Sequence, residues 1–151
     1  MKTLARTVAC VLLVGAVASP AFARQTASER ADLQRYEKYA EAPVDHVRFY
    51  QISGFQYLSP DTVAIRFGVN QMYLVTVQTP CVDLAYANAI GLTSQSHTFY
   101  SRFDFITFGG PGGVARRCQV VKIVPVDELK MKQDEAKRKA TGQGGGQGPR
   151  S

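Results

Sequence analysis

Cysteine has the widest chemical scope of any residue type in this chain, and "QTPCVDLAYANAIGL", residues 78–92, sets one where it could react. Thr79 can cap a helix and Pro80 suits a first helical position, which puts Cys81 in the first turn. Free backbone N–H groups and the positive end of the helix dipole favour thiolate there. A thiol nucleophile also needs a base in reach. The two histidines, His46 and His97, lie in strand-like text without a partner at catalytic or metal-ligating spacing, and there is no C-x-x-C. No catalytic residue, metal site or cofactor is therefore assigned. Arg102 and Asp104, two apart in "SRFDF", share a face if the segment is a strand and can pair there. Beside Tyr100 the pair could orient a ligand, with Phe103 and Phe105 turned toward the core. "GGPGG", residues 109–113, has no G-K-[ST] and reads as a hairpin loop rather than a phosphate cradle.

The opening residues decide between the two readings of Cys81. Lys2 and Arg6 precede an apolar run from Val8 to Ser19, and Ala21-Phe22-Ala23 is an A-x-A cleavage site. That run is shorter than the ~20 residues a membrane span needs, and it suits an export leader cut between Ala23 and Arg24. No later segment reads as a transmembrane span. Export, to a Gram-negative-type periplasm or outside the cell, is the expectation. Removing the leader takes Cys10 with it and leaves Cys81 and Cys118, an even count in an oxidising compartment. A Cys81–Cys118 disulfide follows, with a chain-entropy contribution on the order of 4 kcal/mol. The alternative is a thiol-dependent enzyme using Cys81.

The elements that must position these residues follow from pattern. Ser28 reads as the cap of an N-terminal helix in which Leu33, Tyr36 and Ala40 form one stripe. "VDHVRFYQI" alternates, with Val47 and Phe49 on one side and His46, Arg48 and Tyr50 on the other. "FQYLS", "TVAIRF" and "MYLVTV" continue an antiparallel meander, the last apolar enough to be covered on both faces. A short buried helix, Pro80 to Ile90 with Gly91 as its stop, interrupts the meander. "HTFYSRFDFITF" is one bent strand, and "ARRCQVVKIVPV" is a closing strand with Cys118, Val120 and Lys122 on one face. The last helical stretch carries Glu128–Lys132, Asp134–Arg138 and Glu135–Lys139 at i,i+4 and reads as solvated. A Gly/Gln-rich tail follows it.

The expected organisation is a leader over 1–23, a helix in 24–41, one disulfide-stapled β-rich domain over 42–127, and a charged helix with a disordered tail over 128–151. The fold class is α+β: a small antiparallel sheet or partly closed barrel with one short buried helix and flanking terminal helices. Basic residues at Arg116-Arg117 and between Lys130 and Lys139 do not call for nucleic acid in an exported protein. A weak contact with an anionic surface through the basic C-terminal extension is the most they suggest.

The ordered combination of Cys81, Leu84, Ala87 and Ile90, then Arg102-Phe103-Asp104, then Cys118 and Pro125-Val126-Asp127 resembles a family of small exported proteobacterial proteins catalogued as a domain of unknown function. The resemblance spans about residues 36–127. It implies export, often with a signal or lipoprotein peptide, and a single domain; it implies no activity. The function expected is a non-catalytic binding or interaction module of the cell envelope, its partner an envelope protein or a small ligand.

Overall fold

The structure, a computed structural model, describes residues 26–94 and 96–142. The expected leader, its Ala23/Arg24 cleavage point and the Gly-rich tail lie outside the described residues. The fold is α+β, with a six-stranded antiparallel sheet curled into a half-barrel and a two-stranded ribbon beside it.

Helix α1 (Ala27–Glu37) is capped by Thr26, two residues before the expected Ser28. Thr26 Oγ1 accepts the Glu29 N–H at 3.2 Å while Glu29 Oε2 accepts the Thr26 N–H at 2.7 Å. This reciprocal box satisfies two otherwise orphaned donors, whereas Ser28 satisfies neither. Strands β1 (His46–Arg48), β2 (Gly54–Ser59), β3 (Thr62–Arg66) and β4 (Met72–Val77) follow. After β4 the expected helix from Pro80 to Ile90 contracts to one 3-10 turn, Leu84–Tyr86. Asp83 adopts a left-handed conformation at φ 70° and its carboxylate pairs with Arg116 at 2.8 Å, so no α-helix runs through it. Leu84 is buried, but Tyr86 is 72% exposed. Ile90 belongs to strand β5 (Ile90–Leu92) rather than to a helix. Gly91 is no helix stop. A Cβ there would meet Thr107 Oγ1 at 2.7 Å, so glycine is what lets β5 approach its neighbour.

The expected bent strand is two strands in two different sheets. β6 (Thr98–Tyr100) pairs with β1, and β7 (Phe105–Gly109) joins the main sheet between β5 and β8 (Ala115–Val126). A turn at 101–103, with Arg102 at φ 69°, redirects the chain between them. Phe103 is consequently 79% exposed, not in the core, and the fully buried aromatic is Phe99.

The main sheet runs β2-β3-β4-β8-β7-β5. Strand β8 is its longest member, at 12 residues. Its pairing with β4 shifts register between Val77↔Val120 and Thr76↔Lys122, so Val121 is a bulge. Before the bulge, Cys118 and Val120 face the core on the side opposite the helices. After it, Lys122 is exposed rather than on that face, Ile123 takes the inward position, and Val124 and Val126 face the helices. Where β7 leaves the edge of β8, residues 39–44 replace it. Glu41 N donates to Pro125 O, Val44 N to Ile123 O and Asp127 N to Tyr39 O, all at 2.9 Å.

Helix α2 (Glu128–Gly142) is docked, not solvated. Met131 is buried with Leu33, Tyr36 and Tyr39 of the α1 segment against Leu74 and Val126. Of the three expected local pairs only Glu128–Lys132 forms, at 3.0 Å. Glu135 pairs with Arg35 across to α1, and Asp134 accepts the Tyr39 phenol at 2.9 Å with Lys38 at 3.7 Å. That phenol holds the Asp134 carboxyl below its ordinary 3.8. Glu128 is buried beneath the helix, its carboxylate 2.8 Å from Arg66. Tertiary partners win because α1 supplies cations at a fixed position, whereas an exposed i,i+4 pair is worth only a few tenths of a kcal/mol.

Two outcomes are expected in urea unfolding. Phe99→Ala lowers stability by about 3–5 kcal/mol, whereas Phe103→Ala changes it by less than about 0.5 kcal/mol. Burial raises the Tyr36, Tyr57 and Tyr73 phenols above 10.0. Because these folded-state values lie above the unfolded one, their contribution is full below pH 10.0 and is lost as pH rises past it. Phenolate absorbance and circular dichroism recorded together should show these tyrosines ionising as the fold is lost.

Candidate functional site

Exposed aromatic side chains gather on the β1–β6 ribbon and its following turn. The register places Val47 opposite Phe99 and His46 opposite Tyr100. Alternation turns the first pair inward, both residues buried, and the second outward, with ring centroids 5.5 Å apart. Beyond the end of β1, Tyr50 is 90% exposed and its ring lies 6.1 Å from that of His97. Ser96 and His97 both have positive φ, 53° and 57°, and Phe49 N donates to His97 O at 2.9 Å, which holds this bend against β1. Both histidines of the chain thus sit beside a tyrosine on one small ribbon.

The ribbon is anchored from below by aromatic packing. Phe99 meets Phe49 and Phe67 edge-on at 6.4 and 6.2 Å, and Phe49 stacks at a tilt on Phe67 at 4.8 Å. Such contacts contribute beyond their buried area, on the order of 1 kcal/mol each.

Asp104 fixes the turn. Its Oδ2 accepts the Tyr100 N–H at 2.7 Å and its Oδ1 accepts the Thr93 hydroxyl at 3.3 Å. The Asp104 carbonyl accepts the Val120 N–H at 2.9 Å, and Arg102 N donates to Val120 O at 2.8 Å. Gln119 Nε2 adds a bond to Arg102 O at 2.7 Å. The sequence expectation put Arg102 and Asp104 on one strand face as an ion pair. No ion pair joins them: the turn breaks the strand, and the Asp104 carboxylate is occupied by the backbone and by Thr93. Tyr100, Arg102 and Phe103 are all exposed around this stapled corner, Tyr100 at 43%.

Cys81 and Cys118 are joined as a disulfide, with Cα atoms 5.8 Å apart. Cys81 lies at no helix N-terminus, because residues 80–83 are not helical. The disulfide is the expected one, and the alternative of an activated Cys81 thiolate loses both its helix and its free sulfur. The bridge and the Asp83–Arg116 pair tie the 81–83 segment to β8. They sit just before Val120, which holds the 102–104 turn.

Sequence reasoning did not assemble His46, Tyr50 and His97 with Tyr100. Part of the signal was present: alternation in "VDHVRFYQI" already placed His46 and Tyr50 on one face. The pairing of β1 with β6 was not readable from either segment alone.

Replacing Asp104 by Ala strands the Tyr100 N–H in a part-buried site and should cost about 1–3 kcal/mol in denaturant unfolding. Arg102→Gly removes a left-handed non-glycine residue and should cause no loss. A comparable loss in both variants would restore the ion-pair reading.

No curated protein and no solved structure matches the chain. A family model does match, described as a family of unknown function (DUF6491), over residues 1–142. The stapled half-barrel and its aromatic ribbon therefore belong to a member of that family, DUF6491, whose description names no function.

Proposed function

We propose that the protein is an exported, non-catalytic interaction module of the cell envelope, and that the outer face of the β1–β6 ribbon is its contact surface. The observation that carries this reading is the concentration of exposed rings, Tyr50, Tyr100 and Phe103, on an element whose inner face is locked by Phe99. Tyrosine and arginine supply much of the affinity at protein contacts because they offer large area, few rotors and a polar tip. A rigid mount reduces the ordering cost of binding. Tyr100 and Arg102 make contact in this reading, and Asp104 positions them through the turn. The partner is an envelope protein or a small ligand with flat apolar and hydrogen-bonding character.

Export is supported by the leader pattern in the first 23 residues and by the disulfide, which persists in oxidising compartments. Among the described residues no helix is long and apolar enough to cross a membrane.

The test places a photo-crosslinking residue at Tyr50 or Phe103, and at the equally exposed Val69 as a control, in cells that express the full chain. Crosslinks from the ribbon positions and none from Val69 are expected. Tyr100→Ala should weaken the captured contact by about 2 kcal/mol without lowering stability by a similar amount. Recovery of the protein only from the cytosol, or crosslinks of equal yield from Val69, would overturn the reading.

A further inference from the structure

Helix α2 alternates acids and bases in sequence, which reads as a self-neutralised, solvated helix. Its tertiary contacts change that balance. Each of its acids is turned inward to a cation or a phenol: Glu128 to Arg66 and Lys132, Asp134 to Lys38 and Tyr39, Glu135 to Arg35. Asp127, just before the helix, accepts the Lys130 N–H at 2.9 Å as a cap. Lys130, Lys137, Arg138 and Lys139 are all exposed, and none of them makes an ion pair among the described residues. Lys130 and Lys137, seven positions apart, align along the helix over about 10 Å at helical rise, while Arg138 and Lys139 border the α1 side. Where α2 meets α1, Arg35, Arg138 and Lys139 line a shallow cleft of about 530 Å³ with Glu135 as its one acid. Leu129, an exposed apolar side chain, lies at the start of the same helix.

We propose that the outward side of α2, with its cleft against α1, docks on an anionic lipid surface through the phosphates of the headgroups. The chemistry is charge complementarity. Four exposed cations outside any ion pair and a shallow cleft lined by three cations and one acid face solvent on and beside one helix, while Glu128, Asp134 and Glu135 are engaged by other partners. Contact of this kind is peripheral, since nothing in α2 is apolar enough to span. A lipid surface rather than a nucleic acid is the polyanion met by an exported chain. In that respect the choice of occupant rests on the export reading above, while the binding itself is testable without it.

The experiment is co-sedimentation of the leaderless full chain with vesicles of phosphatidylcholine alone, or of phosphatidylcholine mixed in equal parts with phosphatidylglycerol. Sedimentation with the anionic vesicles only, lost between about 0.1 M and about 1 M salt, is expected. Lys137→Gln with Lys139→Gln should lower partitioning roughly thirtyfold, from about fivefold for each cation removed. A charge-matched control, Arg48→Gln with Arg117→Gln, should leave it unchanged. Both pairs are exposed, and unchanged circular dichroism verifies folding. Binding to neither vesicle, equal binding to both, or equal loss from the two variants would overturn the proposal.

Discussion

Strand β8 is the constraint on which the rest of this fold depends. It forms the ladder with β4 along one edge, takes β7 along the first half of the other edge, and receives residues 39–44 along the second half. It also holds Cys118 of the disulfide and, through Val120, both ends of the 102–104 turn. A strand covered on both faces serves two cores by alternation, as Val75 and Val77 against Met72 and Leu74 do in β4. In β8 the bulge at Val121 takes up one extra residue, so that Val120 and Ile123, three apart, both face the aromatic core. Before it, inward residues face the aromatic core of Phe49, Phe67 and Phe99; after it, Val124 and Val126 face Tyr36, Tyr39 and Met131.

The ribbon and the helices are then two attachments to the same strand, made by different chemistry. The ribbon is held by apolar rings underneath and by the backbone bonds of a turn that Asp104 closes. The helical layer combines a small apolar contact around Met131 with ion pairs and phenol bonds. Glu128 is the most demanding of these. Its carboxylate is buried, and although Arg66 and Lys132 lie close, neither is aligned with it as a hydrogen bond. It is held by charge alone, so loss of either cation would leave a buried anion less compensated.

What was legible in the sequence was periodicity. The alternation of Val47 and Phe49, the two-faced burial of "MYLVTV" and the meander of short strands are local signals, and the structure reproduces them. The Cys81–Cys118 bridge was legible by counting, once Cys10 was assigned to a leader. The helix drawn over 80–90 failed because Leu84, Ala87 and Ile90 have helical spacing yet reach the core from a 3-10 turn and an extended segment. The strand drawn through 97–108 failed because a single left-handed residue, Arg102, separates two sheets, and arginine does not announce that backbone conformation. The N-cap was missed by two residues although Thr26 and Glu29 carry the capping-box spacing. The fate of the α2 acids was beyond reach, because it depends on cations in α1 and β3 that only the fold brings near.

The bulge also makes the chain unequal in what changes of length it can absorb. Residues 110–113 of "GGPGG" lie outside the paired residues of β7 and β8, which end at Gly109↔Ala115, and extra residues there would lengthen a loop at small entropic cost. Val121 is the spare residue of β8 in its pairing with β4. Deleting Val121 would close the bulge and leave Val120, Ile123, Val124 and Val126 on their present faces, because Val77↔Val120 and Thr76↔Lys122 would then be consecutive pairs. Between Ile123 and Val126 every residue of β8 is paired with β4, and one removed there would put Ile123 and Val126 on the same face, so that stretch must keep its count.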